Sequence, residues 1–456
     1  VGTIASLVVY FGAEFFTGTL LKTPYSVFAL KILGPALIVV AVLGVLRGFF
    51  QGLGTMMPSA ISQIIEQIVN AIISVWAAYV LTGYGRKIGA VLGDPDHYGA
   101  AYGAAGGTLG TNLGSVAALL FVLFIFFAYM HVFKRQMKRE RNVKVDPFSY
   151  TLKVLIITII PVLLSTTVYN ISGIIDQGIF KNVALLQGYS DHQIDLWWGV
   201  FTGKYKLLIN VPISIASAMA ASSVPTLTAS FAADDMESVR TQINAANRFV
   251  MVIAFPCAIG LAALGKPIFT LLFPGTVATA DMAATMMWVG AMAVVFYAMS
   301  TLSNGLLQGI NRLKVPVVNA AIALVTHIIV LIILMLFLRL NIYAVVISNM
   351  FFAFAMCILN SRAIRKYSGY KQEIVKTFVI PAIASLIMGV IAFFAYKGIY
   401  FVIKSNAIAT VLSILIAMVV YAVTLLLCKG LTEEEILRFP KGALLVRIAK
   451  KLHLLK

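Results

Sequence analysis

Charged residues are scarce in this chain, and their scarcity decides the class of protein. Only 11% of the 456 residues are charged, whereas 61% are hydrophobic and the mean hydropathy is +0.95. A soluble domain of this length could not enclose so much apolar surface. A bilayer solvates apolar side chains, and helices satisfy their own backbone groups within it. The composition therefore predicts an all-α polytopic membrane protein.

Cysteine and the common catalytic motifs are also scarce. The three cysteines, Cys257, Cys357 and Cys428, lie in apolar runs without metal-ligand spacing, where inert buried thiols are usual. The sequence has no Gly-Lys-Ser/Thr phosphate loop and no cluster of His, Asp and Glu of the kind a membrane-embedded transferase needs. These absences argue against ATP hydrolysis, a metal site and an enzyme. The only cofactor left open is a coupling cation, Na⁺ or H⁺.

The net charge of +18 is carried by basic loops. Lys and Arg gather at 134–144, at 361–376 and in the tail that ends at 456, without an aromatic-interleaved soluble face for a nucleic acid. Basic clusters beside membrane helices are typical of cytoplasmic loops and attract anionic lipids. We therefore predict a cytoplasmic C-terminus, anionic lipids as partners, no nucleic acid and a monomeric state.

Apolar runs of about 20 residues predict membrane spans. The sequence contains about twelve such runs, and an even number puts both ends of the chain on one side. They cover 1–20, 27–51, 58–82, 100–132, 149–175, 204–230, 246–273, 281–309, 315–338, 341–361, 375–397 and 405–428.

A polar motif occurs twice. "GFFQGLGTMMPSAISQIIEQ" covers 48–67, and the shorter "GLLQGINRLKVP" covers 305–316. Each joins two spans by a Gln-Gly turn, with a proline near the start of the second span, where its missing N–H is tolerated. Six spans separate the copies, so they share one orientation, which predicts two six-helix halves related by an axis along the membrane normal. Only four spans precede the basic loop, so we expect two further helices before residue 1.

Three strings carry a resemblance to a known family. They are "LKILGPALIVVAVLGVLRGFFQGLGTMMPSAISQIIEQIVN" at 30–70, "KYKLLINVPISIASAMAASSVPTLTASFA" at 204–232 and "STLSNGLLQGINRLKVPVVNAAIALV" at 300–325. They resemble the MOP flippase superfamily, in the branch that contains stage V sporulation protein B and the MurJ-like lipid II flippases of Gram-positive bacteria.

The resemblance implies the MOP flippase fold of two six-helix lobes plus two C-terminal helices. Residues 1–133 would hold the last four helices of the N-terminal lobe, and 134–148 the basic cytoplasmic loop between the lobes. Residues 149–366 would form the six-helix C-terminal lobe, and 367–456 the two extra helices and a basic cytoplasmic tail. The family's basic cavity residues lie largely on its first helix, which precedes the residues present here.

The resemblance also implies a function in the bacterial plasma membrane. Family members move undecaprenyl-pyrophosphate-linked cell-wall precursors, such as lipid II or a polysaccharide repeat unit, from the inner to the outer leaflet by alternating access. The alternative is a cation-coupled multidrug or toxin exporter of the same superfamily. The few carboxylates and the string at 30–70 favour the flippase.

Polar side chains at membrane depth are candidates for the site, because each is costly there. The predicted substrate or cavity residues are Arg47, Gln51, Glu66, Gln67, Asn70, Asn170, Asp176, Lys204, Lys206, Asn210, Asn304 and Gln308. None is predicted to be catalytic.

Several of these candidates carry two interpretations. Glu66 suits either a cavity carboxylate that binds a coupling cation or pairs with Arg47, or a purely structural ion pair. Arg47 suits either a pyrophosphate contact or interfacial snorkelling. Asp176 lies either at a solvated helix end or in a cavity. His327 could relay protons, but an interhelical hydrogen bond is favoured.

Small residues predict one helix contact. Gly106, Gly110 and Gly114 recur every four residues and so share one helical face. Such a stripe lets a second backbone approach closely in lipid. We expect these glycines to pack against a neighbouring helix.

Overall fold

The computed structural model describes residues 1–53, 55–139, 147–275 and 277–430, with the single residues 433, 443, 446, 447 and 450, and no strand occurs among them. The helices are α1 (Gly2–Glu14), α2 (Val27–Gly52), α3 (Met57–Leu92), α4 (Pro95–Arg139), α5 (Phe148–Leu186), α6 (Asp191–Val200), α7 (Lys206–Ala232), α8 (Met236–Ala263), α9 (Gly265–Leu272), α10 (Val277–Gly309), α11 (Lys314–Leu336), α12 (Asn341–Ser368), α13 (Ile380–Ile403) and α14 (Asn406–Leu427).

Eleven helical segments in the described part of the chain are long and apolar enough to cross a membrane. The twelfth predicted span, 149–175, falls within α5, whose described apolar part covers Phe148–Ile160. Large apolar side chains cover the outer surface; Val45, Val75 and Tyr79 are each more than 70% exposed. Such a surface suits lipid and not water. The chain is a multi-pass membrane protein.

Some predicted boundaries are wrong. The span expected to end at 175 continues to Leu186, and the span expected to begin at 204 is already helical from Asp191, through one π-helical stretch at Phe201–Tyr205. The connection between these two predicted spans, 176–203, is therefore mostly helix. The polar "DQG" at 176–178 ended the apolar run but not the helix. Residues 140–146 of the predicted basic loop, and most of the predicted tail after 430, lie outside the described residues.

Contacts divide the chain into two compact units, Val1–Phe148 and Ser149–Lys456. In the first unit, α3 and α4 form a long antiparallel pair, and α2 packs on α4. In the second, α10 packs on α7, α8 and α12 around the largest hydrophobic core, while α13 and α14 pack together and α13 also contacts α8.

Both copies of the repeated motif form a helix–turn–helix. In the first, α2 ends at Gly52 and α3 begins with Pro58 in its first turn. In the second, α10 ends at Gly309 and α11 begins two residues before Pro316. Asn311 adopts a left-handed conformation (φ +58°) in the second turn, which asparagine tolerates better than most residues.

The α3–α4 turn is held by Asp94. Its carboxylate accepts hydrogen bonds from the Tyr25 hydroxyl (2.8 Å), the His97 ring (2.7 Å) and the His97 backbone N–H (3.3 Å). The Tyr25 hydroxyl and then His97 hold the pKa of Asp94 below its usual range. Gly93 closes α3 with φ +83°, a conformation that favours glycine.

The glycine stripe of α4 lies against the backbone of α3. A methyl group on Gly106 would come within 2.5 Å of the Ala77 carbonyl oxygen, and one on Gly114 within 2.6 Å of the Glu66 carbonyl oxygen. Between them, Gly110 lies directly against Ser74. Three successive levels of contact therefore need glycine, because even one added methyl has no room.

We expect Gly110→Ala to destabilise the first unit by about 1–3 kcal/mol, because the new methyl would overlap Ser74. Gly107→Ala is the matched control: its methyl would meet nothing within 4 Å, and alanine favours helix. Thermal unfolding of the purified protein in detergent measures both. A Gly110→Ala variant as stable as Gly107→Ala would contradict the packing argument.

Candidate functional site

Arg47 and Glu66 form an ion pair between α2 and α3. Arg47 Nη2 lies 2.8 Å from Glu66 Oε2, and the two side chains are only 17% and 18% exposed. Arg47 Nε also donates to Ser62 Oγ at 2.8 Å, and Ser115 of α4 donates to Glu66 Oε1 at 2.9 Å. The Arg47–Glu66 ion pair and its serine partners therefore join α2, α3 and α4.

The sequence spacing explains this cluster. Arg47 and Gln51 are four residues apart on α2, and Ser59, Ser62 and Glu66 follow at intervals of three and four on α3, so each set shares one helical face. Gln51 Nε2 donates to Ser59 Oγ at 3.3 Å, although Gln51 itself is exposed. The serines were not among the predicted residues, and the interval of three and then four before Glu66 is the signal that could have found them.

Asn70 lies one turn beyond Glu66 and bonds within the α3–α4 contact. Its Oδ1 accepts from Ser74 Oγ (2.7 Å) and from Thr111 Oγ1 (3.4 Å). The neighbouring Gln67 is exposed. Of the three predicted polar residues at 66–70, two are therefore engaged with neighbouring helices and one lies on the surface of the unit.

Asp176 occupies an enclosed site in the second unit. It is 0% exposed; Oδ1 lies 2.5 Å from His327 Nε2, and Oδ2 accepts from Asn349 Nδ2 at 2.7 Å. Because α5 continues ten residues past it to Leu186, Asp176 does not end a helix, and the interpretation as a solvated helix end is wrong. His327 makes the interhelical hydrogen bond that its apolar surroundings favour.

The two predicted lysines near the start of α7 have different partners. Lys204 Nζ donates to Thr279 Oγ1 of α10 at 2.5 Å. Lys206 lies over the Phe201 ring at 4.9 Å and within electrostatic range of Asp176. The positive charge of Lys206 is therefore close to the Asp176 carboxylate.

Asn304 belongs to a network of amides in the second unit. Asn360 of α12 donates to Asn304 Oδ1 (2.8 Å) and to Ser303 Oγ (2.9 Å) on α10, and Asn319 of α11 donates to Asn360 Oδ1 (2.8 Å). Asn360 is fully buried. This network joins α10, α11 and α12 without a charge.

The remaining predicted residues are Asn170, Asn210 and Gln308. Asn170 is exposed and donates to the carbonyl oxygen of Thr166 one turn earlier. Asn210 is exposed, and Gln308 is half-buried. Across the described residues, no group of three His, Cys, Asp or Glu side chains has the geometry to hold a metal ion.

Comparison with known proteins identifies the family. The family profile described as Lipid II flippase MurJ matches residues 3–420. The chain belongs to the MurJ lipid II flippase family. This is a family of transporters and not of catalytic enzymes, and the predicted membership of the MOP superfamily is confirmed.

Curated relatives agree with this family. The Bacillus subtilis protein named Lipid II flippase MurJ is 23% identical over 410 residues, which cover 85% of this chain and 71% of that protein. Stage V sporulation protein B of the same organism is 22% identical over 243 residues, which cover 53% of this chain and 43% of that protein.

Solved structures confirm the fold. A structure titled Lipid II flippase MurJ, inward closed conformation, is similar with a TM-score of 0.63 and 16% identity, over 93% of this chain and 80% of the other. An inward-facing multidrug resistance MATE transporter of the MOP superfamily is similar with a TM-score of 0.55 and 16% identity, over 81% and 79%. MurJ and MATE transporters thus share the MOP fold of this chain, and the predicted fold class is confirmed.

We expect Glu66→Lys to abolish the transport activity of this MurJ family member and to destabilise the first unit by about 2 kcal/mol, since Arg47 would face a like charge at a largely buried position. The double variant Arg47→Glu with Glu66→Arg restores an ion pair. It should recover stability but not transport, as measured by thermal unfolding and a vesicle flipping assay.

The matched control is Glu14→Lys, because the Glu14–Lys31 pair of the same unit is exposed (77% and 40%) and such pairs contribute little. Full transport by the Arg47/Glu66 double swap would show that the pair is structural only.

Proposed function

We propose that this protein moves a lipid-linked cell-wall precursor, carried on undecaprenyl pyrophosphate, from the inner to the outer leaflet of the bacterial plasma membrane by alternating access. The observation that carries the proposal is the family match over residues 3–420. The relative named Lipid II flippase MurJ supports the same substrate class.

Arg47 is the residue we propose to meet the pyrophosphate. A guanidinium has five N–H donors, of which the described contacts to Ser62 and Glu66 use two. Glu66 and Ser62 fix the orientation of the group, and a planar guanidinium suits phosphate oxygens better than an ammonium does. An anionic headgroup would compete with Glu66 for the same cation, so substrate binding would loosen the α2–α3 ion pair.

The cation-coupled exporter is the second candidate. Its support is the structural similarity to MATE transporters, and at 16% identity that similarity concerns the fold. The profile match and the two named relatives favour the flippase. We therefore rank the exporter second.

The orientation and assembly are part of the same proposal. We place the C-terminus in the cytoplasm because Arg362, Arg365 and Lys366 cluster at the end of α12, as basic residues do on the cytoplasmic side. These charges would also attract anionic lipids. We propose that a single copy is the transporting unit, and no cofactor other than a coupling cation is needed.

Complementation tests the function. In a cell depleted of its own lipid II flippase, expression of this protein should restore growth and the labelling of lipid II in the outer leaflet. Glu66→Lys, expressed at the same level, should restore neither, and Glu14→Lys should restore both. Normal expression with no outer-leaflet lipid II, together with efflux of cationic drugs, would favour the exporter.

A further inference from the structure

Three helices of the second unit meet at one enclosed polar group. Asp176 of α5 and His327 of α11 are both 0% exposed, and Asn349 of α12 is 6% exposed. The His327 ring lies between two acceptors: its Nδ1 is 2.8 Å from the Ser348 carbonyl oxygen and its Nε2 is 2.5 Å from Asp176 Oδ1. An imidazole ring with an acceptor beside each nitrogen needs a hydrogen between each nitrogen and its acceptor.

The positions of the protons follow from the partners. A carbonyl oxygen only accepts, so Nδ1 carries a hydrogen and donates to Ser348. In a neutral ring Nε2 then has a lone pair, and a lone pair facing a carboxylate at 2.5 Å would be repulsive. One further proton must lie between Nε2 and Oδ1, either on the ring or on the carboxyl group. The pair therefore holds one shared proton.

That proton decides the net charge of the group. With it, the pair is neutral overall; without it, one negative charge remains in an enclosed site where an unpaired charge is costly. Asp176 Oδ2 already accepts from Asn349, whose Oδ1 accepts from the Tyr297 hydroxyl of α10 at 3.0 Å. The Phe352 ring of α12 lies edge-on to His327.

A lysine lies near the pair. Lys206 of α7 lies within electrostatic range of both Asp176 and His327, and it favours loss of the proton because it stabilises the remaining negative charge. Lys181, further along α5, lies 3.1 Å from Asp195 and 3.5 Å from Asp191 of α6. The Asp176–His327 pair therefore needs a proton to be neutral, and the nearby ammonium group of Lys206 can balance the negative charge that remains when the proton leaves.

We propose that the Asp176–His327 pair is a proton-binding site, and that its occupancy controls the attachment of α5 to α11 and α12. When the proton leaves, Asp176 and the ring repel, and Lys206 attracts the carboxylate towards α7. This device belongs to the second unit and is separate from Arg47 and Glu66. Its use to drive substrate movement rests on the proposed function, but proton binding itself does not.

Nitrogen-15 NMR of histidine-labelled protein in lipid nanodiscs tests the proton directly, with His327→Gln to assign the signal. We expect both ring nitrogens of His327 to be protonated or hydrogen-bonded at neutral pH, with loss of the shared proton in a single step as the pH is raised in a scan from about pH 5 to about pH 9. Asp176→Asn, which keeps shape and hydrogen bonding, should abolish the step. A His327 signal that does not change over this range would overturn the proposal.

A flipping assay in vesicles tests the coupling. A proton gradient should change the wild-type rate, and Asp176→Asn and His327→Gln should both lose that response. Stimulation by Na⁺ at constant pH that Asp176→Asn abolishes would instead identify a metal cation as the ligand and refute the proton site. Absence of any lipid II flipping by the wild type would count against the proposed function and leave the NMR result to stand by itself.

The matched control is Asn319→Leu, which removes a neutral amide contact between α11 and α12. It should lower thermal stability but keep both the titration step and the response to the gradient. Loss of the titration step in this variant would show that the pH effect reflects general loosening of the helices, and the proposal would fail.

Discussion

A polar side chain within the membrane has no water with which to form hydrogen bonds, so it must bond to other protein groups. In this structure those groups lie on neighbouring helices. Each of the main polar groups therefore spans helices. Arg47 and Glu66 join α2 to α3, Asp176 and His327 join α5 to α11, and Asn360 joins α10 to its neighbours. Apolar contact provides little preference between one helix neighbour and another in lipid, since the lipid is equally apolar. The polar contacts are therefore the specific ones, and they fix which helix faces meet.

The helices could largely be predicted from the sequence, because a bilayer demands long apolar runs and leaves few alternatives. The repeated Gln-Gly turns and the glycine stripe were predictable for similar reasons, since both depend on residues close together in the chain. The α5 boundary was not, because the "DQG" at 176–178 looks like the start of a loop. The Asp176 carboxylate can be buried within the helix there because His327 and Asn349 provide it with hydrogen-bond partners.

The partners of the polar residues could not be predicted, because they depend on which helices become neighbours. Asp176 and His327 are 151 positions apart, and Asn349 lies on a third helix. Arg47 and Glu66 are an exception, because a hairpin brings them together, and their pairing was one of the predicted alternatives. Sequence reasoning therefore named Asp176 and His327 without indicating that they form one group, and it did not name Asn349.

The two copies of the hairpin use different chemistry on the same backbone design. The first connects its helices by a guanidinium and a carboxylate, while the second has Asn304 on the helix before the turn and connects its helices through neutral amides. An anionic ligand can compete for the cation of the first hairpin's ion pair, whereas Arg312 in the second turn lies over the Tyr367 ring. In the second unit, Asp176 and His327 form a fully buried pair.

The glycine stripe of α4 has a mechanical consequence. Because Gly106, Gly110 and Gly114 touch the α3 backbone at three successive levels, α3 and α4 cannot slide or roll past each other without steric overlap. Glu66 lies at the last of these levels, where its own carbonyl oxygen faces Gly114. A displacement of the α3 backbone at Glu66 must therefore carry α4 with it, because the two helices move as one rigid pair. In such a rigid pair, a small local displacement moves both helices along their whole length, whereas two loosely packed helices would shift relative to each other instead.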